Sequence, residues 1–392
     1  MVVPVIGSSH AAIETARVLA PAFAADASAR DVGKSLPFDQ VEALSSSGLL
    51  AITVPAEFGG PDLPAATVAT VIATIAAADA SLAQIPHSHF VFLDAARRVG
   101  SIELQRSLFR RVLAGERIAN AQTERGGATV LDDATRLRRK DGELVVSGTK
   151  YYCTGAVFAD ILAVRALGPD GGTVIVYVPA DSDGVTIDSD WDALGQRTTS
   201  SGSVVLDDVV VDPGLLLDFT SIFAQRSTYG TRAQLLHAAI DVGVARGALD
   251  TIGRLAEKAR PWFEAGVDRA ADDPLLIAQA GDLELAVRAA ESLLATAGAR
   301  IQDAETAPGP SAFTEAALAT AAAKVSAGRA ARRAGSEIFD FGGTRTAAAS
   351  ANLSRYWRDA RTHTLHDPER WKLQHLGAWA LDRLRPPSHG NL

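Results

Sequence analysis

Two histidines near the end of the chain, His363 and His366, lie in Arg358-Asp359-Ala360-Arg361-Thr362-His363-Thr364-Leu365-His366-Asp367-Pro368. A three-residue spacing on a helix puts both imidazoles on one face. Pro368 biases Asp367 away from helical geometry, so the helix is expected to end there. An unperturbed imidazole titrates near pH ~6.5, so a helix end displaying His-His-Asp can take up and release protons at neutral pH. The plainer alternative is a pair of capping histidines that favour the negative end of the helix dipole. His87 and His89 form a second pair, two residues apart, where two histidines are more often incidental than ligating. Cys153 is the only cysteine and reads as a small buried apolar residue.

The elements that must position these residues fall into three blocks. The first third reads as helical. Pro37 opens a helix whose stripe is Phe38, Val41 and Leu44, and Gly48 stops it. Further helices are expected over about Ala65 to Ala78 and about Ser88 to Ala114. The pattern changes near Arg117. Asp141-Gly142 before Glu143-Leu144-Val145-Val146-Ser147 is a hairpin signal. Ile161 to Val164, Val174 to Val178 and Ser203 to Val211 read as strands, so an antiparallel β domain is expected up to about Leu216. Helix returns near Ser221. Leu236, Ile240 and Val244 share a face, and Gly243 and Gly247 let another helix approach closely. Leu275 to Ala297 and Glu315 to Phe339 are long alanine-rich helices separated by Pro308-Gly309-Pro310. The expected domains are residues 1–116, 117–220 and 221–392, a mainly α chain with a central β domain.

Composition narrows the function classes. The net charge of −8 gives no electrostatic case for nucleic acid. The Ala-rich run Leu63 to Ala78 is too short to span a bilayer, so no membrane partner is expected. One cysteine builds no disulfide, which fits a cytoplasmic protein. The first residues carry Glu14 and Arg17 and do not read as a signal peptide. His-x-x-x-His and Cys-x-x-Cys are absent, so no metal is expected. A Gly-x-Gly-x-x-Gly turn after a strand is missing too, so any flavin must sit in a cleft between subdomains.

Several segments, taken in order, carry a resemblance. They are Gly48-Leu49-Leu50-Ala51-Ile52-Thr53-Val54-Pro55 with Phe58-Gly59-Gly60, then Asp79 to Pro86 with His89-Phe90, then Gly148-Thr149-Lys150-Tyr151-Tyr152-Cys153-Thr154-Gly155-Ala156. Asp190-Trp191-Asp192 with Gly195-Gln196-Arg197-Thr198-Thr199 follows, then Arg260-Pro261-Trp262 with Asp272-Asp273-Pro274, and the histidine motif closes the set. Together they resemble the flavin-dependent monooxygenase branch of the acyl-CoA dehydrogenase superfamily, in particular the sulfur-acquisition oxidoreductases related to dibenzothiophene monooxygenases. The resemblance implies the acyl-CoA dehydrogenase fold: an N-terminal helical domain, an antiparallel β-barrel-like domain and a C-terminal four-helix bundle. It implies reduced FMN supplied by a separate NAD(P)H:flavin reductase, O2 as co-substrate, a C4a-hydroperoxyflavin that oxidises a small organosulfur compound, and a homotetramer. Nitrogen or carbon oxidation stays open as a variant of the same chemistry.

The resemblance also assigns roles. His366 is implied to stabilise or protonate the peroxyflavin, with His363 in support. His89 is implied to line the flavin and substrate pocket; otherwise it is a helix-end histidine satisfied by backbone. Asn120 is implied to meet the flavin ring or peroxide, Thr154 to face flavin N5, and Trp191 to pack beside the ring. Arg260 and Arg345 are implied to hold the FMN phosphate, for which a planar guanidinium fork is suited.

The competing reading is an FAD-dependent acyl-CoA dehydrogenase, which needs a carboxylate base. Where many such enzymes keep Tyr-Glu-Gly, this chain has His366-Asp367-Pro368, and Ser227 to Ile240 contain no Asp or Glu. Arg260-Pro261-Trp262-Phe263-Glu264 also departs from the stretch that helps hold FAD. A non-catalytic flavin-binding protein on this fold is the third alternative.

Overall fold

The computed structural model describes residues 3–127, 129 and 132–390. Its N-terminal helices are α1 (Ser9–Ala25), α2 (Ala27–Gly33), α3 (Phe38–Ser46), α4 (Ala65–Ala78), α5 (Ala80–Gln84), α6 (His87–Val99) and α7 (Ile102–Leu113). The helical stretch expected over Ser88 to Ala114 is built as two helices. Gly100 is extended and Ser101 caps α7 by accepting from the Leu104 N–H, which restarts the helix in a new direction. Among these helices α4 is the most apolar, and its alanines and isoleucines are buried along most of its length.

The middle of the chain forms β1 (Ile118–Ala121), β2 (Arg136–Lys140), β3 (Glu143–Lys150), β4 (Ile161–Leu167), β5 (Thr173–Pro179), β6 (Val185–Asp188), β7 (Ser203–Val210) and β8 (Leu216–Asp218). They build one sheet in the order β6-β7-β3-β2-β4-β5-β8, with β1 alongside β4. Asp141-Gly142 makes the β2–β3 hairpin with both residues at positive φ, as that turn chemistry requires. The expectation of a purely antiparallel domain is corrected at β1, which pairs in parallel with β4 from Ile118↔Ile161 to Ala121↔Val164. Two strands separated by that much chain are free to run the same way, whereas hairpin partners are not.

The C-terminal helices are α8 (Tyr229–Lys258), α9 (Pro274–Thr306), α10 (Pro310–Glu337), α11 (Ser354–His363) and α12 (Glu369–Asp382). α8 is the spine, with 22 residues buried, among them His237 and Asp241. It crosses α4 at Gly243 and Gly247. A Cβ on either would lie 2.4 Å from the Ala73 carbonyl or 2.3 Å from that of Ala77, so only glycine permits the crossing. One apolar core joins α1, α4, α8, α9 and α10, and a second ties α6 and α7 to one face of the sheet. No helix among the described residues is long and apolar enough to cross a membrane.

Candidate active site

α11 ends at His363, not at Asp367, because the chain turns over Thr364 to His366 to bring the next segment back. The two histidines therefore do not share a helix face. His363 is buried and His366 is exposed, 47% of its side chain accessible. Both nevertheless meet His237 from α8. His363 Nε2 lies 3.0 Å from His237 Nδ1, and the His366 ring centroid is 4.1 Å from that of His237. His87, expected to be incidental, is the fourth ring of this group. It stacks on His237 at 3.9 Å and donates from Nε2 to the Ala233 carbonyl at 3.1 Å.

Charges close the buried side of the cluster. Asp241 lies one helical turn beyond His237 and sits 2.5 Å from His363 Nδ1 through Oδ1 and 3.1 Å from Lys324 Nζ through Oδ2. Burial opposes ionisation of Asp241, but His363 and Lys324 together hold its carboxyl below the usual range. Burial lowers His363 despite Asp241, pushes His237 well down, and takes His87 to about 3. Asp367 is also buried. His366, Lys324 and Lys372 outweigh that burial and hold it far below the carboxylate range, with Lys372 at 2.7 Å.

The facing wall comes from the β domain. Thr154 Oγ1 is 2.8 Å from Ser201 Oγ, which is 2.7 Å from Thr199 Oγ1. Thr199 donates to the Gln196 carbonyl at 3.1 Å, and the Trp191 indole donates to the same carbonyl at 2.8 Å. One loop therefore holds Thr154 and Trp191 together. Gly195 presses that loop onto α11, where a Cβ would lie 2.1 Å from the Arg358 carbonyl. The Gln196 N–H donates to Asp359 Oδ1 at 2.6 Å. Burial raises Asp359 to about 7. Asn120 accepts from Ser88 at 3.0 Å and donates to the Tyr152 carbonyl at 3.2 Å. Since Ser88 follows His87, Asn120 lies at the seam between the histidine cluster and the sheet.

Three further expected site residues lie apart from the histidine cluster. His89 is buried, its Nε2 2.9 Å from the Leu50 carbonyl and its Nδ1 accepting from the Ile118 N–H at 3.1 Å. Burial lowers it to about 4. With both nitrogens committed to backbone it cannot pass a proton, so its place is as a staple between the 49–51 turn, α6 and β1. Arg260 and Arg345 are exposed and lie beyond the far end of α8, where Gly342 packs on Leu255. From His237 to Lys258 the helix runs roughly 30 Å at ~1.5 Å per residue. One chain therefore does not bring these arginines to the histidines. His237, Asp241 and Lys324 carried a weaker signal, an ionisable set on otherwise apolar faces of α8 and α10.

The wall fits a ligand rich in acceptors. Gln196 Nε2, Arg197 Nε and Ser200 Oγ are buried without a partner, and Gln196 and Ser200 hold left-handed backbone at φ 48° and 46°. A flavin's carbonyl and ring-nitrogen edge supplies such acceptors.

Three domains in this order define the class. Residues 10–116, 119–209 and 235–368 match, in turn, the N-terminal, middle and C-terminal domains of acyl-CoA dehydrogenase. The chain belongs to the acyl-CoA dehydrogenase family. Within that family it is similar to dibenzothiophene monooxygenase of Rhodococcus erythropolis, 31% identical over 391 residues, covering 95% of this chain and 94% of that protein. It is also 31% identical over 397 residues to the probable FMNH2-dependent monooxygenase SfnC of Pseudomonas putida, covering 98% of each. The crystal structure of FMN-bound TdsC from Paenibacillus sp. A11-2 superposes with a TM-score of 0.92 at 32% identity, covering 97% of this chain and all of that one. The resemblance drawn from the motifs is borne out.

Proposed function

We propose that this chain is a reduced-FMN-dependent monooxygenase that inserts one oxygen atom of O2 into a small organosulfur substrate. One observation carries the choice over desaturation. The carboxylate at the position of a dehydrogenase base, Asp367, is buried, paired with Lys372 and held far below the pH range in which it could take up a proton. What the site exposes instead is an imidazole, His366. The similarity to a probable FMNH2-dependent monooxygenase, SfnC, and to FMN-bound TdsC supports the same reading.

When bound, reduced FMN supplies the oxygen-activating chemistry. Thr154, Asn120 and Trp191 would hold and orient it, and His366 would manage the proton with His363 in support. The chain has no dinucleotide-binding turn, so a separate NAD(P)H:flavin reductase delivers the reduced cofactor. The assembly is a cytoplasmic homotetramer. Arg260 and Arg345 reach the FMN phosphate of a neighbouring copy, a reading supported by exposed Trp262 and Phe263 beside Arg260.

The test combines the protein with FMN, NADH, a flavin reductase and ¹⁸O2, and offers sulfides, sulfoxides, sulfones and sulfinates. Product bearing one ¹⁸O is expected. Reduction of the flavin by an acyl-CoA without oxygen insertion would make the protein a dehydrogenase. Failure to bind flavin would leave a scaffold.

A further inference from the structure

His237 is the middle of a three-ring stack. His87 lies 3.9 Å away with 29° between planes, and His366 lies 4.1 Å away with 36°. Two rings at those distances and tilts cannot share one face, so they take opposite faces. The edge of His237 is held as well, by a chain that ends at a carboxylate. Asp241 only accepts, so His363 Nδ1 carries a proton toward it. A neutral His363 then has a lone pair on Nε2, which accepts from His237 Nδ1 at 3.0 Å. A neutral His237 is left with its proton on Nδ1 and a bare Nε2. Lys324 on the second Asp241 oxygen supplies the countercharge, so Asp241 stays ionised without charging His363.

We propose that Asp241 and His363 are positioning residues that lock His237 as a neutral Nδ1–H imidazole, and that His237 in turn fixes the ring plane of His366. The lock stands on this geometry together with the burial that keeps His363 and His237 uncharged. Its consequence for catalysis rests on the monooxygenase reading above. Two imidazoles in contact ordinarily titrate as a coupled pair. Holding His237 neutral lets His366 gain or lose its proton alone, in one orientation. The ionisable groups packed around the stack are His87 from α6, Asp241 from α8, Lys324 from α10, His363 at the end of α11, Asp367 in the turn after it, and Lys372 from α12. Asp367 and Lys372 remain paired when Asp241 changes, which makes Asp241 the handle.

The full-length protein labelled with ¹⁵N-histidine gives the first readout, a long-range ¹H–¹⁵N correlation at neutral pH. The wild type should show His237 protonated on Nδ1 only. Asp241→Asn presents an amide that donates, which reverses the chain, so His363 and His237 should both switch to Nε2–H. The second readout is the pH dependence of coupling, oxidised product per NADH consumed. His237→Phe keeps a ring between His87 and His366 but deletes the Nδ1–H. Its coupling profile should keep one midpoint close to that of the wild type, because one neutral ring replaces another. In Asp241→Asn, where His237 is no longer locked, the midpoint should instead move by about one pH unit or split into two transitions. An Nε2–H tautomer in the wild type, an unchanged tautomer in Asp241→Asn, or a midpoint in His237→Phe shifted by a full pH unit would each overturn the lock. Neither the wild-type spectrum nor the phenylalanine profile requires Asp241→Asn to fold. Absence of oxygen transfer in every protein, wild type included, would sink the monooxygenase reading, while the predicted tautomers would still establish the lock.

Discussion

The two ends of α8 are opposites. Near its start, His237 and Asp241 are almost fully buried among three other histidines and a lysine. Past its end, Arg260 and Arg345 are exposed, and so are Trp262 at 62% and Phe263 at 77% accessibility. The contrast fits the role proposed for each end. A proton is steered by desolvation and fixed partners, which need a dry, crowded interior. A phosphate needs guanidinium forks that remain reachable. One rigid helix keeps the two chemistries roughly 30 Å apart at ~1.5 Å per residue. Under that proposal a single cofactor served by both ends draws on two copies of the chain.

The hardest break of this contrast is His366→Ala at the buried end. It should cost on the order of 10²-fold in coupled product, with the lost oxygen appearing as hydrogen peroxide. FMN affinity should stay as in the wild type, because the arginines proposed to hold the phosphate lie elsewhere. Unchanged coupling would remove His366 from the chemistry.

Asp359→Asn tests the burial itself. The folded-state pKa of Asp359 is raised from 3.8 to about 7. A carboxyl raised on folding contributes stability that is full below the unfolded pKa and is lost as pH climbs through the folded one. Stability should thus fall between about pH 4 and 7 in the wild type by on the order of 2–4 kcal/mol. Asparagine still accepts from the Gln196 N–H and removes that slope. Urea unfolding of both proteins at pH 5 and pH 8 checks it. Equal pH dependence in the two would show that Asp359 is ionised in the fold.

Much of this was legible because the signals are local. Asp141-Gly142 made its hairpin, Gly48 ended the first stripe, and Gly243 and Gly247 met α4 as their spacing suggested. The ordered motifs gave the family. What escaped was long-range. His237 and His363 meet across 126 residues, and His89 finds Leu50 and Ile118 at separations of 39 and 29. No spacing rule reaches so far. His87 seemed incidental because only the fold supplies its partner. The end of α11 was misplaced for a related reason. Pro368 excludes helix at Asp367, but the earlier stop at His363 serves a ring that must turn inward to Asp241. The direction of β1 was hidden because four residues carry no mark of parallel pairing.

At the open end, Arg260→Ala and Arg345→Ala should each weaken FMN by about 10- to 100-fold, the ~1.5–3 kcal/mol of a charge-assisted hydrogen bond. Riboflavin, which lacks the phosphate, should bind each variant as it binds the wild type. Equal losses for FMN and riboflavin would show that the arginines act on the fold or assembly instead.

Thr154→Ser is the mildest change and the finest probe of the β-domain wall. The hydroxyl that lies 2.8 Å from Ser201 is kept, and only a methyl is removed from a half-buried site. One methyl is worth about 1 kcal/mol or less here, so peroxide release should rise by no more than a few-fold. Thr154→Ala removes the hydroxyl as well and leaves Ser201 without that partner, so it should uncouple the reaction further than serine does. If serine and alanine were equally impaired, the methyl would be the working part of Thr154. The residue would then shape the pocket, and the Thr154–Ser201–Thr199 hydroxyl chain would serve only to hold the loop onto α11.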